Sequence, residues 1–248
     1  MADEKIKEYW EKCVPWGFKE NPIPYEERRK KRYELQSYMH KAIGFDQWRG
    51  KKVLEIGIGA GIDLMEFGRN GAKMYGVDLT KNGMDLTFET SKQANMCAVL
   101  SNANVAEKLP FVDSYFDAIY SFGVLHHVPE VDKALVEIKR VMKPNGKIIV
   151  MLYNKDSILY AYSIQHLHKA AGISENELTG MYSERNEGCP YTKAYTKQEA
   201  IALFSKYFND VEVKTYYSVI DTPQQRKVKL GGDGECDWGW HHIVKARK

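Results

Sequence analysis

Apolar runs and helical stripes alternate along the middle of the chain. Val53–Ile56 is a short apolar run that predicts a strand, and Ile62 to Phe67 predicts a helix stopped by Asn70-Gly71. Met74–Val77 predicts a second strand and 83–96 a second helix, followed by strands at 98–103 and 116–121. Apolar residues at 131, 134, 135, 138, 141 and 142 form one face of a helix over 130–142. Pro144-Asn145-Gly146 then turns the chain into a strand over 147–152. Thr196 to Glu199 reads as a capping box that opens a helix through Phe204. Strands at 211–219 and 241–247 have no helix between them and should pair antiparallel. The pattern predicts an α/β fold: a doubly wound, mostly parallel, seven-stranded sheet with helices on both faces.

The rhythm is absent at the start and breaks after residue 154. Residues 1–50 are helical in tendency, broken by Pro15, Gly17, Pro22 and Pro24, and rich in aromatic side chains. Residues 155–195 are helix plus irregular chain, too long for a routine connection. One domain is therefore expected over 1–248. It has a helical cap (1–50), a core (51–154), a lid (155–195) and a C-terminal helix with antiparallel strands (196–248).

Composition narrows the partners. A net charge of +3 on 248 residues is a small excess, which does not call for nucleic acid. Much of it sits in two short runs, and the first, Arg28 to Arg32, reads as one solvated helical turn. Four cysteines, Cys13, Cys97, Cys189 and Cys236, are widely spaced without a CxxC pair, as expected of reduced thiols in a cytoplasmic protein. The charged N-terminus has no apolar signal region, and no run approaches ~18 apolar residues, so no membrane association is expected.

The turn after the first strand reads Gly57-Ile-Gly-Ala-Gly61. A dinucleotide fingerprint, G-x-G-x-x-G, needs its third glycine at position 62, where Ile62 stands. A phosphate-cradling loop would continue with G-K-[ST], which is missing. A sulfonium nucleoside has no phosphate to grip, and bare backbone at 57 and 59 would let it approach. Asp78, at the end of the second strand, can accept both hydroxyls of a ribose, although it would serve a nicotinamide nucleotide equally.

With "AEKLPF" (106–111), "FDAIYSFGVLHHVPE" (116–130) and "RVMKPNGKIIVM" (140–151) following in order, the chain resembles class I S-adenosylmethionine-dependent methyltransferases. The resemblance is to the small-molecule, methyltransferase-11-like group with a Rossmann-like core. It covers residues 50–153 most strongly, and the later strands by architecture. It implies S-adenosyl-L-methionine as cofactor, S-adenosyl-L-homocysteine as product, and no metal. It also implies that Glu55 braces the loop, that Gly57, Gly59 and Gly61 line the methionine and ribose, and that Asp78 holds the diol. Leu79 would lie against the adenine, Val105 and Ala106 would meet its edge, and Ser121 would lie beneath the methionine. Family members often carry aspartate where Val105 stands; Asn104 is the candidate substitute.

Methyl transfer to a hydroxyl or ammonium also needs a proton removed. His126 and His127 follow the fourth strand at the ligand-binding edge, with His126 placed slightly ahead. Some sugar O-methyltransferases with this pair use an aspartate at the end of the fifth strand; here the strand ends Tyr153-Asn154, leaving Tyr153 to orient substrate. A polar-aromatic acceptor roof is expected from Tyr25, Arg28 and Tyr33 with Tyr160, His166 and Tyr191. His241 and His242 alternate across a strand, cannot share a metal, and read as structural.

The expected activity is methylation of an oxygen or nitrogen of a small-molecule acceptor, with oxygen preferred. Alternatives are carbon methylation of a quinone or lipid-like acceptor, a non-catalytic cofactor-binding protein, and a nicotinamide oxidoreductase. Nucleic-acid methylation is disfavoured because no N/D-P-P-F/Y motif follows the fourth strand.

Overall fold

A computed structural model describes residues 2–14, 23–162, 172–183, 189–221, 227–232 and 234–248. Helices α1 (Ala2–Lys12), α2 (Tyr25–Leu35) and α3 (Met39–Ile43) precede the sheet. The core then runs β1 (Lys52–Ile56), α4 (Ile62–Arg69), β2 (Lys73–Asp78), α5 (Lys81–Ala94), β3 (Val99–Asn102), β4 (Phe116–Phe122), α6 (Val131–Val141) and β5 (Met142–Tyr153). The chain ends with α7 (Glu175–Ser183), α8 (Lys197–Ser205), β6 (Asn209–Tyr216), β7 (Val219–Asp221), β8 (Lys227–Lys229) and β9 (His241–Arg247).

Seven strands form one sheet in the order β3-β2-β1-β4-β5-β9-β6. The first five are mutually parallel, and β9 runs antiparallel between β5 and β6. This is the mostly parallel, doubly wound sheet expected from the alternation. The chain moves outward from β1 through β2 to β3, then returns to the other side of β1 for β4. Loops diverge at that reversal, so a crevice opens at the carboxyl ends of β1 and β4.

Alternation along the strands sorts the core into two layers. Tyr120, Ile149, Met151 and Ile243 face α3 and Phe45, while Ile119, Ile148, Val150 and Val244 face α6 and α8. Local signals place the helix ends. Thr80 caps α5 by accepting from the Gly83 N–H, and the Thr196–Glu199 capping box is present. Asn95, in the left-handed region, ends α5 at Ala94 rather than at 96.

Three elements differ from expectation. The helix expected over 130–142 gives way at Met142 to a longer β5, with Pro144-Asn145-Gly146 inside it. The pairing with β4 shifts register there, so the turn is absorbed as a bulge. A hairpin of β7 and β8 had no strong alternating signal. The basic run is not uniformly solvated. Arg28, Arg29 and Arg32 turn inward to Thr90, Glu66 and Asp63, while Lys30 and Lys31 pair with exposed glutamates on α2 itself. The spacing of Tyr25, Arg28 and Arg32 is a buried stripe made largely of cations, which a hydrophobic pattern does not reveal.

Candidate functional site

A cavity of about 370 Å³ fills the crevice, within the size range of small-molecule sites. Its floor is the β1–α4 turn together with the ends of β2 and β3. Gly57, Gly59 and Gly61 all have positive φ, at 73°, 51° and 73°. A Cβ on Gly57 would overlap the Val124 side chain, and one on Gly61 would press into Thr87. Gly57 and Gly59 line the cavity. Gly61 stands outside it at the start of α4, where it permits the packing of α4 on α5.

Asp78 links the loop to β2. One carboxylate oxygen accepts from the Gly59 N–H at 2.9 Å, and the other from the Thr80 N–H (2.9 Å) and hydroxyl (2.7 Å). Burial raises its pKa despite these bonds. Glu55 also borders the cavity, and its Oε2 is buried with no hydrogen-bond partner among the described residues. Burial, then repulsion from Asp63, pushes its carboxyl well above the usual range. An unsatisfied buried acceptor is costly, so this atom invites a cationic or N–H donor. Leu79, Asn104 and Val105 also line the floor.

Two expected floor residues lie elsewhere. The Ser121 hydroxyl donates to the Ile56 carbonyl at 3.2 Å and bridges β4 to β1 beneath the cavity wall. Ala106 is outside the cavity, and its N–H is occupied by the Asn104 side chain at 3.0 Å. Asn104 thus shapes its own turn, which competes with any role in replacing the missing aspartate.

The roof corrects the expectation most. Tyr25 is buried in an apolar cluster with Ile58, Leu64 and Met65, away from the cavity. Arg28 donates to the Thr90 hydroxyl at 2.9 Å, and Thr90 in turn donates to the Ala60 carbonyl, so Arg28 braces the loop from behind. Tyr160 is a core residue, and Tyr191 is outside the cavity. Tyr33 acts one step back by donating to Asp63. His166 lies outside the described residues. Leu159, Tyr160, Leu178 and Ala194 pack into the core, and Ser183 alone among the described residues of 155–195 reaches the cavity.

What covers the cavity instead is α1. Ile6 and Trp10, four residues apart on one face of α1, line it, and Val14 joins them just past the helix end. Glu11 latches α1 onto α5: its carboxylate accepts from the Lys81 and Asn82 N–H groups at 2.9 and 3.0 Å. The remaining wall comes from Arg32, Phe122, Tyr217, Trp240 and His241. Arg32 is buried and paired bidentately with Asp63 at 3.2 and 2.7 Å, and its guanidinium lies 4.6 Å from the Phe122 ring centroid. Tyr33 and Tyr120 hydroxyls also donate to Asp63. Burial works to raise the Asp63 pKa, but Arg32 and these bonds outweigh it and hold the group ionised. The Ile6–Trp10 spacing was readable as a helical stripe. The Arg32–Asp63 pair had no local signal.

The two histidines have opposite fates. His126 is fully buried, packs at a tilt on Tyr153 with ring centroids 3.9 Å apart, and does not line the cavity. Burial, then His127 and His241, hold its pKa well below the ordinary value. His127 does line the cavity, its ring in edge contact with Trp10 at 4.9 Å. Burial lowers its pKa to about 4, so it is neutral near pH 7. The order expected for the pair is therefore reversed in access: the first histidine packs inward against β5. Tyr153 lines the cavity and stacks on Trp240 at 4.2 Å. His241 lines the cavity too, and its Nδ1 pairs with the Tyr38 hydroxyl at 2.6 Å, whereas His242 pairs with Thr215.

Residues 54–150 match the family model described as a methyltransferase domain. The sterol 4-C-methyltransferase of Caenorhabditis elegans is 36% identical over 131 residues, covering 48% of this chain and 38% of that protein. The fatty-acid O-methyltransferase of Mycolicibacterium smegmatis is 32% identical over 151 residues, covering 58% of this chain and 54% of that protein. The chain thus spans about half or less of the length of these relatives. A Thermotoga maritima structure described as a possible histamine N-methyltransferase superposes with a TM-score of 0.60 and 16% identity. It covers 98% of this chain and 99% of that one, and at such identity the likeness is one of fold.

Proposed function

Because the chain carries a class I S-adenosylmethionine-dependent methyltransferase domain, we propose that it methylates an oxygen or nitrogen of a small-molecule acceptor, oxygen being preferred. One observation carries the reading: the bare glycine loop, the Asp78 carboxylate and the orphaned Glu55 oxygen share one cavity with His127. These residues fit the cofactor. Gly57 and Gly59 leave room for it, Asp78 would accept from the ribose diol, and Glu55 offers an unfilled acceptor to a cationic group. When bound, the cofactor supplies an electrophilic methyl on a positively charged sulfur.

The chain's own residues would do the rest. Asp63 is already neutralised by Arg32, which leaves the Asp78 carboxylate and the orphaned Glu55 oxygen as the hydrogen-bond acceptors of the floor. Trp10, Phe122 and Trp240 would exclude water from the line of displacement. His127, neutral and facing the acceptor, would take its proton, and Tyr153 would orient it. Four free thiols suit a cytoplasmic location.

The apolar side of the cavity, with Ile6, Leu35, Phe122 and Met151, favours a second reading, carbon methylation of a quinone or lipid-like acceptor. The test is a methyl-transfer screen with isotopically labelled S-adenosylmethionine over alcohols, phenols, amines and quinones, with the labelled atom located by mass spectrometry. Label on oxygen or nitrogen supports the first reading, and label on carbon the second. Turnover on a hydroxyl should fall roughly 10²-fold or more in His127→Ala. Cofactor binding without transfer to any acceptor would favour a non-catalytic binding protein.

A further inference from the structure

The fifth strand ends in Tyr153-Asn154 rather than in an aspartate, and one loop closes around the His127 Nδ1. The Tyr191 carbonyl and the Thr192 hydroxyl each lie 3.0 Å from that nitrogen, and the Cys189 sulfur lies at 3.4 Å. A carbonyl oxygen can only accept, so the Tyr191 contact requires the proton to sit on Nδ1. A neutral ring then keeps its lone pair on Nε2. With Nδ1 protonated, the Thr192 oxygen accepts a share of the same N–H.

The loop is fixed at several points. The Lys193 N–H donates to the His126 carbonyl at 2.9 Å, tying the loop to the turn that carries both histidines. The Tyr195 N–H donates to the Tyr153 carbonyl at 2.9 Å, tying it to the end of β5. On the other side the Cys189 N–H donates to the Gly180 carbonyl at 3.2 Å, and a Cβ on Gly180 would collide with the Cys189 carbonyl. Helix α7 therefore reaches the loop only because residue 180 is glycine. Thr192 itself is completely buried, so its hydroxyl is withdrawn from water at the ring.

We infer that the Tyr191 carbonyl sets one tautomer of His127 and that Thr192, accepting a share of the same N–H, holds the ring's orientation, so that Nε2 carries the lone pair that would take the acceptor's proton. Together they take the place that a carboxylate holds in histidine dyads. Because a hydroxyl and a carbonyl carry no charge, they orient the ring without the strong rise in basicity that a buried carboxylate brings. The inference rests on the proposed role of His127 as base.

The test is nitrogen-15 NMR of the histidine rings in the full chain loaded with S-adenosylhomocysteine, with the His127 signal assigned by its loss in His127→Gln. Wild type should show a single tautomer protonated at Nδ1. Thr192→Val, equal in size but without the hydroxyl, should keep the proton on Nδ1, because the Tyr191 carbonyl remains, but shift the Nδ1 resonance as one of its two oxygen acceptors is lost. Thr192→Ser should restore the wild-type signal. Gly180→Ala, whose added methyl would collide with the Cys189 carbonyl and reach the Thr192 hydroxyl, should displace the loop and reproduce the Thr192→Val spectrum. A wild-type ring protonated at Nε2, or a Thr192→Val spectrum identical to wild type, overturns the inference. If the spectra behave as stated but His127→Ala keeps full turnover, the base assignment fails and the positioning of the ring stands.

Discussion

The floor and the roof of the cavity are built in different ways. The floor comes from three successive strand-to-loop turns, at residues 55–60, 77–80 and 103–105. The roof is gathered from Ile6, Trp10, Arg32, Ser183, Tyr217 and Trp240, which span most of the chain. Floor residues are held by short bonds from backbone N–H groups to one side chain, those of Gly59 and Thr80 to the Asp78 carboxylate. Roof residues depend on a few long-range latches, chiefly Arg32–Asp63 and Glu11 on α5. A shared cofactor can be served by a contiguous floor, while a roof assembled from distant segments can change with the acceptor and leave the floor intact.

Breaking the latch between the two regions should have the largest effect. Arg32→Met leaves Asp63 buried and ionised without its cation, and should cost about 3–5 kcal/mol of folding stability. Urea denaturation would measure this, and a loss below about 1 kcal/mol would mean that Asp63 finds another partner or a proton.

The two regions should also respond oppositely to acid. Burial holds roof-side His127 at about 4, lowers His126 well below its ordinary value, and with Lys197 lowers His242 on β9 to about 4. The unfolded chain therefore binds more protons below pH 6.5, and stability is lost as pH falls through 6.5 toward 4. Floor-side Glu55 and Asp78 are raised, so the folded chain binds the extra proton there and they offset part of that loss. The net loss between pH 6.5 and 5 should be on the order of 3 kcal/mol. Denaturation at stepped pH checks the sign, and His127→Gln should flatten the slope.

The smallest effect should come from the other latch. Glu11→Ala removes the carboxylate from the α5 N-terminus, a change worth about 0.5–2 kcal/mol for helix caps. Stopped-flow displacement of S-adenosylhomocysteine should then show a several-fold faster release. An unchanged rate would mean that α1 does not gate the floor.

This contrast explains what could be read in advance. The strand–helix alternation, the glycine turn and Asp78 could be read from local spacing, because each depends on residues a few positions apart. The burial of Arg28 and Arg32 was missed because a cationic stripe that pairs internally looks the same as a solvated one. Tyr25, Tyr160 and Tyr191 were expected in the roof on aromatic content, but content does not say which side of a helix or loop meets the cavity. The pair at 126 and 127 shows the same limit at one residue's spacing. Neither histidine carries a local mark of facing inward or outward, and packing of His126 on Tyr153 decides it.

Calorimetric titration of the intact chain with S-adenosylhomocysteine, beside NAD as a counter-ligand, tests the floor most directly. The account predicts binding of the nucleoside and not of NAD. Asp78→Ala should weaken it by about 1.5–3 kcal/mol, roughly ten- to a hundred-fold. Preference for NAD, or an affinity indifferent to Asp78→Ala, would contradict it.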